Sequence, residues 1–288
     1  MKGIAGTVVL YNPDERDLLH NIHSYLPYVE LLIVIDNTEV PRTNSGEQIK
    51  GAGTAIRYIA NNQNKGVAAA LNMAAQMAFN EGYTWLLTMD QDSYFDKGEM
   101  TNYFSLFSQL FQAQSNIAIV SPSHEKGTAD ATPGAVFSEV TTVITSGSLM
   151  QLPLWNEAGG FCEKLFIDEV DHEYCYRLIE RGYRIIQCNA VYLNHRLGTK
   201  KTGGYLGSVA KRERVIHSPR RVYFMVRNYL YVRKLYKKSF PEEFKRRDKE
   251  VMNRIKNNLF FSGHFWKNVK HVLAGYRHYK TGNFSNKL

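Results

Sequence analysis

Short apolar runs, each closed by polar or turn-forming residues, recur along the first two thirds of the chain, and several are followed by helical periodicity. Ile4–Tyr11 is rich in β-branched residues and stops at Asn12-Pro13, after which Leu18, Leu19, Ile22 and Leu26 recur at helical spacing. This predicts a strand and then a helix. Leu31–Ile35 is wholly apolar and ends at Asp36-Asn37, as expected of a strand covered on both faces of a parallel sheet. Arg42–Gly53 is polar and contains glycine, and reads as a loop. Ala55–Ala60 predicts a third strand. Beyond Asn61–Gly66, residues Val67, Leu71, Ala74, Ala75 and Ala78 share one helical face. Trp85–Met89 predicts a strand that ends at Asp90-Gln91-Asp92. Ile117–Val120 and Tyr183–Leu193 are further strand candidates, and Val136–Thr145 is an extended stretch. Asp171–Gly182 reads as a helix with Tyr174, Cys175, Leu178 and Ile179 on one face.

Repeated strand–helix alternation predicts an α/β domain, Rossmann-like, with a mainly parallel central sheet flanked by helices. Beyond the Gly/Lys-rich Gly198–Gly207 the character changes to basic and aromatic helix. His217–Tyr236 places Val222, Met225, Val226, Tyr229 and Leu230 on one face. Near the end, Phe265, Val269, Val272, Leu273 and Tyr276 form an apolar stripe, with Lys267, Lys270, Arg277 and Lys280 on the same helix. The division is expected within Gly203–Ile216, giving an α/β domain over residues 1–210 and a basic, aromatic helical appendage over 211–288.

The charge balance sharpens this division. The 288 residues carry 36 Lys and Arg against 27 Asp and Glu, a formal charge of +9. Residues 1–195 hold 12 Lys and Arg against 22 Asp and Glu, or −10, while residues 196–288 hold 24 against 5, or +19. The basicity therefore belongs to the last third, where it points to an anionic partner such as a membrane surface rather than to the fold. Nucleic acid is the rival partner, but no recognisable RNA- or DNA-binding motif accompanies the charge. With 44% hydrophobic residues the chain is globular. No apolar run approaches the roughly 18–20 residues that span a bilayer, and the first apolar stretch reads as a strand rather than a signal peptide. Three cysteines without CxxC spacing argue against a zinc site or disulfide framework and for a reduced, cytoplasmic compartment.

In open parallel sheets ligands bind outside the carboxyl ends of the strands, so the polar residues there are the first candidates for chemistry. Asp90-Gln91-Asp92 offers hard oxygen ligands suited to Mg2+ or Mn2+ shared with a diphosphate. By itself the motif is weak evidence and reads more readily as a solvated turn, with Ser93 and Asp96 capping the next element. Tyr11-Asn12, Asp36-Asn37 and Asn64-Lys65-Gly66 close the earlier strands. There Asp36 would accept from a base or ribose, Lys65 would meet phosphate charge, and the helix opened by Gly66 would present N–H groups to an anion. Asp168-Glu169-Val170-Asp171-His172-Glu173 sets four carboxylates within six residues. Such a cluster needs compensation and suits general-base work, or else it is an acidic helix start favoured by the helix dipole. His195, just past a strand, would complete a metal or phosphate site, or is a satisfied surface group.

The order of these pieces resembles family 2 glycosyltransferases of the GT-A fold, and within them the bacterial rhamnosyltransferase-like members. The matching residues are Val8–Asn12, Ile35–Asn37, Asn64–Asn72, Leu87–Ser93, Thr145–Ser148, Gly159–Phe161, Phe166–Glu173 and Leu193–Gly198, spread over about residues 3–235. The resemblance implies an inverting, metal-dependent transfer of a sugar from a nucleotide-sugar donor to a glycan or lipid-linked glycan. By residue, it implies that Tyr11, Asp36 and Asn64 contact the nucleotide with Lys65 and Asn72 in support. It implies that Asp90 and Asp92 form the metal–diphosphate motif with His195 joining the metal, and that Asp171 is the base with Asp168 and Glu173 beside it. Val170 stands where many members have an acidic residue, and the Asp-x-x-Asp-x-Glu form is the rhamnosyltransferase-like one. dTDP-rhamnose is therefore the expected donor and a UDP-sugar, for galactofuranosyl or hexosyl transfer, the alternative.

Arg221 and Arg227-Asn228 resemble the family's segment after the GT-A core, which implies contact with donor phosphate or an anionic acceptor; the other reading is a packed helix with solvated arginines. A Rossmann dehydrogenase is disfavoured because the first strand is followed by Tyr-Asn-Pro-Asp-Glu rather than a GxGxxG turn. The basic amphipathic helix with Trp266 suits the interface of an anionic membrane, or packs its stripe on the protein. The first reading implies a peripheral location at the inner face of the cell membrane.

Overall fold

The computed structural model describes residues 2–41, 49, 56–113, 116–124, 135–195, 199–203 and 212–285. The predicted loop at 42–53 lies, apart from Ile49, outside the described residues, as do position 210 and residues 198 and 204–207 of the predicted loop at 198–207, whose remaining residues 199–203 instead form a strand that pairs with residues 212–216. The chain divides into two compact units, one of residues 1–166 and 170–195, the other of residues 167–169 and 196–288.

In the first unit the strands are β1 (Lys2–Leu10), β2 (Leu31–Asp36), β3 (Ile56–Ala60), β4 (Tyr83–Asp90), β5 (Ser93–Phe95), β6 (Ile117–Ser123), β7 (Phe137–Glu139), β8 (Ser148–Gln151) and β9 (Arg184–His195). They form one sheet in the order β3-β2-β1-β4-β8-β6-β9-β5, with β7 also on β9. The β3-β2-β1-β4 portion is parallel throughout. Beyond it β8 runs antiparallel to both β4 and β6, so the parallel character is concentrated in the N-terminal half. The extended stretch expected over Val136–Thr145 contracts to the three residues of β7.

Helices α1 (Glu15–His23), α2 (Val67–Asn80), α3 (Glu99–Ala113), α4 (Leu152–Ala158) and α5 (Val170–Glu180) complete the unit. Val8, Leu10, Leu32, Val34, Leu87 and Met89 bury one face of the sheet with Leu18 and Ile22 of α1 and Tyr103 and Phe107 of α3. Each such side chain contributes about 1.5–3 kcal/mol relative to exposure. On the other face α2, with Ala70, Leu71, Ala74, Ala75 and Ala78 buried, packs on β1, β2 and β4. Its small side chains let the helix approach the strands closely, which positions the loop before it.

The second unit holds the antiparallel pair β10 (Thr199–Gly203) and β11 (Arg212–Ile216), then α6 (Pro219–Tyr236), α7 (Pro241–Phe261) and α8 (Phe265–Thr281). Ser218 caps α6 by accepting from the Arg221 N–H at 3.3 Å, and Pro219 follows at the first helical position, where its fixed φ and missing N–H suit a helix start.

Candidate active site

The parallel half of the sheet brings four strand ends to one edge. Leu10 is level with Asp36, Asp36 with Ala60 and Val9 with Asp90, so Tyr11, Asn37, Asn61 and Gln91 emerge side by side. Gln91 ties two of these ends together. Its Oε1 accepts from the Tyr11 N–H at 2.8 Å, its Nε2 donates to the Tyr11 carbonyl at 3.2 Å, and its own carbonyl accepts from Asn21 Nδ2 at 2.9 Å. The sequence treats Gln91 only as the spacer between two aspartates; an amide there supplies one donor and one acceptor to a neighbouring strand end.

Asp36 is buried, with Oδ1 accepting from the Thr38 N–H at 2.8 Å and Oδ2 from the Tyr58 hydroxyl at 2.5 Å. Burial, and then the bond to Asp36, push the Tyr58 phenol up, which keeps it a donor. Asn37 Nδ2 donates to the Gly66 carbonyl at 3.0 Å, and Asn64 Oδ1 accepts from the Gly66 N–H at 3.0 Å. Lys65 is half-buried in the same turn. Gly66 has φ +87°, and a Cβ there would lie 2.5 Å from Phe166 Cδ2 and 2.7 Å from its carbonyl oxygen, so both conformation and space require glycine. The Val67 N–H donates to that Phe166 carbonyl at 2.8 Å. The N–H groups expected to face an anion at the start of α2 therefore do not include this one.

Asn72 sits one helical turn further on. Its Nδ2 donates to the Phe161 carbonyl and to Glu163 Oε1, both at 2.9 Å, while Oδ1 accepts from the Phe161 N–H at 2.7 Å and from Trp155 Nε1 at 3.3 Å. It joins α2 to the Gly159-Gly160-Phe161 corner, so its support of the edge is through the scaffold.

Asp90 and Asp92 lie in the turn that ends β4 and are partly buried. The Asp90 N–H donates to Ser146 Oγ at 3.2 Å, and that hydroxyl donates to Ser93 Oγ at 2.8 Å. Ser93 belongs to β5 rather than capping a helix. Ser93 is in register with His195 on β9, which places the His195 position beside the residue that follows Asp92; the His195 side chain lies outside the described residues. Two carboxylates on one turn and a histidine position next to it form a hard, partly imidazole donor set that fits a divalent cation. Among the described residues no three His, Cys, Asp or Glu side chains group as a metal site.

Asp171 occupies the first turn of α5. Its Oδ1 accepts from the His172 N–H at 2.9 Å and meets the His172 ring at 3.0 Å. It lines a narrow cavity with Thr88, Thr145, Ser148, Phe161 and Cys175, whose volume of about 10 Å³ is room for about one water. Thr88 lies two residues before Asp90 on β4, and its carbonyl accepts from the Gly147 N–H at 2.7 Å. Thr88 of β4 and Asp171 of α5 thus line one cavity.

The other three carboxylates of the acidic run meet arginines. Glu173 pairs with Arg177 at 2.9 Å, and Arg177 also donates to the Gly160 carbonyl at 2.6 Å. In the second unit Asp168 pairs with Arg221 at 3.1 Å, and the buried Glu169 with Arg247 at 2.6 Å. Asn228 Nδ2 donates to the Ile167 carbonyl at 2.7 Å. Phe166, Asp168 and Glu169 all have positive φ, at 63°, 62° and 66°, an uncommon conformation for residues with side chains. Arg227 is fully buried. Its guanidinium bonds Tyr223, Asn228 and the Ser285 carbonyl and lies over the rings of Tyr223, Phe224 and Phe284. Of the two arginines singled out by sequence, then, Arg221 is the exposed one. Burial pushes the Cys175 thiol up to about 12 and Cys188 up to about 11, so neither is a thiolate nucleophile at neutral pH.

Residues 8–125, from β1 to just past β6, match the family described as Glycosyl transferase family 2. That segment is similar to glycosyl transferase family 2. The matched span contains Tyr11, Asp36, Asn64, Lys65, Asn72, Asp90 and Asp92, and stops before Asp171. The dTDP-rhamnosyl transferase RfbF of Shigella flexneri is 26% identical over 251 residues, 80% of this chain and 80% of that one. Among solved structures, GalNAc-T7 with UDP, GalNAc and Mn2+ is similar with a TM-score of 0.57 at 14% identity, over 67% of this chain and 43% of its own. The mannosyltransferase PcManGT from Pyrobaculum calidifontis, in complex with GDP-Man and Mn2+, gives 0.55 at 13% identity, over 97% and 75%. At these identities the structures speak for the fold, a GT-A sheet flanked by helices. Together the family match over these residues and the Shigella relative support glycosyltransferase activity.

Proposed function

We propose that this glycosyltransferase moves rhamnose from dTDP-rhamnose, with inversion, to a glycan or lipid-linked glycan acceptor in bacterial surface polysaccharide synthesis, at the inner face of the cell membrane. The observation that supports this reading is the cavity that Asp171 lines together with Thr88, two residues before Asp90 on β4. The name of the Shigella relative supports the donor.

In this reading Tyr11, Asp36 and Asn64 bind the nucleotide, with Lys65 and Asn72 supporting them. Asp36, held by Thr38 and Tyr58, keeps further lone pairs on both oxygens for a base or ribose. Asp90 and Asp92, with His195, would hold Mg2+ or Mn2+, and such an ion supplies charge neutralisation to a leaving diphosphate. Asp171 takes the proton from the acceptor hydroxyl as that oxygen attacks the anomeric carbon from the face opposite the leaving group. Asp168, paired with Arg221, is the alternative base. The contact with an anionic group of donor or acceptor falls to Arg221 rather than to the enclosed Arg227.

Thermal shifts with dTDP-rhamnose, UDP-galactofuranose and UDP-hexoses, each with and without Mn2+, test the donor. The expected result is stabilisation by dTDP-rhamnose that grows with Mn2+. Stabilisation by UDP-sugars alone overturns the rhamnose assignment, and none by any nucleotide sugar overturns the site.

A further inference from the structure

The apolar stripe on α8 invites the expectation that the stripe is what packs. The helix packs by a different face. Gly275 fits so closely against α6 that a Cβ there would lie 2.8 Å from the Tyr223 carbonyl. Asn268, fully buried, donates to the Asn258 carbonyl at 2.7 Å and to Ser262 Oγ at 2.8 Å, and His278 Nδ1 meets the Tyr223 hydroxyl at 2.8 Å. Small and polar residues therefore hold α8 within its unit, and the large apolar ones are left outside.

Those residues share a face with cations. Trp266, Lys270, Leu273, Arg277 and Lys280 follow at intervals of four, three, four and three residues, one line along an α-helix, and all five are exposed. Trp266 is 79% exposed and Leu273 63%. Phe260, at the end of α7, is 61% exposed and meets Phe265 at 5.9 Å, which in turn meets Trp266 at 5.1 Å. No acidic residue occurs after Glu250, against seven Lys and Arg in the same span. Lys267, Lys270, Arg277 and Lys280 make no ion pair among the described residues.

We infer that this face of α8, with Phe260, docks on an anionic phospholipid bilayer. The chemistry is specific in two respects. A cluster of Trp, Phe and Leu side chains is left in water unless something apolar covers it, and the cations interspersed with it select a negatively charged surface. Nucleic acid would use the cations but leave Leu273 and Phe260 uncovered, and a second copy of the same basic face would set like charges together. The inference stands apart from the donor and acceptor assignments, because docking is read without any transfer reaction.

The full chain supplies its own probe. Of its three tryptophans, Trp85 and Trp155 are each 5% exposed, so a change in emission on docking reports Trp266. Vesicles of phosphatidylglycerol and phosphatidylcholine are expected to shift the emission to the blue and to carry the protein upward in flotation, while pure phosphatidylcholine does neither. Leu273→Ala with Phe260→Ala is expected to weaken the partitioning about tenfold, and Lys267→Gln, Lys270→Gln, Arg277→Gln and Lys280→Gln together by at least as much, with loss of salt dependence. Circular dichroism confirms that the variants fold. Absence of the wild-type protein from floated anionic vesicles overturns the inference. So does undiminished flotation of both variants, binding to an oligonucleotide with none to vesicles, or a dimer that dissociates on Trp266→Ala.

Discussion

In the first unit the acidic side chains that matter sit at strand ends and a helix start among neutral partners: the Thr38 N–H and the Tyr58 hydroxyl donate to Asp36, the Asp90 N–H donates to Ser146 Oγ, and the His172 N–H donates to Asp171. In the second unit the basic side chains fall into two populations. Arg227 and Arg247 are buried among aromatic rings and bonded to protein groups, whereas the cations of α8 face outward beside Trp266 and Leu273. Charge of one sign, concentrated in one region of the chain, thus serves two unrelated purposes. A net value of +19 does not separate them, because counting ignores burial. The carboxylates of the first unit present the converse case, since register brings Asp36 and Asp90 to the same end of the parallel strands, two strands apart.

The comparison breaks most sharply at the edge of the sheet. Replacing Asp90 and Asp92 by asparagine keeps the side-chain size but removes the hard anionic ligands. Transfer is expected to fall on the order of 10³-fold, with Mn2+ no longer enhancing donor stabilisation. Retention of that enhancement in the double variant would place the metal elsewhere.

A buried arginine of the second unit gives the next largest effect. Arg247→Met leaves Glu169 buried and unpaired, which is expected to destabilise folding by about 3–5 kcal/mol. Adding Glu169→Gln restores most of that loss, because the stranded charge is gone. Urea denaturation of the single and double variants measures both, and equal midpoints for the two would show that the pair, rather than the stranded charge, sets the cost. By contrast Lys270→Gln on α8 is expected to leave stability within about 0.5 kcal/mol of the wild type.

The smallest effect is a pH dependence in the second unit. Burial, with Arg221 and Arg254 nearby, pulls His217 from 6.5 down to about 4. Between these values the unfolded chain holds a proton that the folded chain does not. The stability present above about pH 6.5 is therefore lost as pH falls toward about 4, and the loss levels off below that. Comparing urea midpoints of the wild type and His217→Gln at pH 7, 5.5 and 4.5 isolates this contribution, and parallel curves for the two would remove it.

Much of the first unit was legible because its parallel strands are buried on both faces and read as unbroken apolar runs. The six residues of β2 are all buried, which is why Leu31–Ile35 announced itself. β8 was not legible. It is four residues long, and it exists through antiparallel pairing with β4 and β6, contacts about 60 and 30 residues away in sequence. Helix α3 carried a readable signal in Met100, Tyr103 and Phe107, all buried and spaced by three and four. The same contrast governs the site. Asp36 and Asp90 were visible from their place at strand ends, and the Glu173–Arg177 pair was local, four residues apart. Tyr58, Gln91 as a clamp, and the pairing of Glu169 with Arg247 depend on register or on contacts far along the chain, so no local pattern announces them. On α8 the apolar stripe is visible in the sequence, but the face that packs is defined by Gly275 against α6 and by Asn268 against Asn258 and Ser262, contacts that no local pattern announces.

The central claim is that Asp171, which lines a cavity with Thr88 of the strand that ends at Asp90, is the base of a glycosyl transfer. Single-turnover transfer from the donor selected in the thermal screen, measured for Asp171→Asn beside the donor dissociation constant, tests it most directly. The expected result is transfer reduced by about 10²–10⁴-fold with donor affinity within about twofold of the wild type. Full transfer by Asp171→Asn would contradict the account.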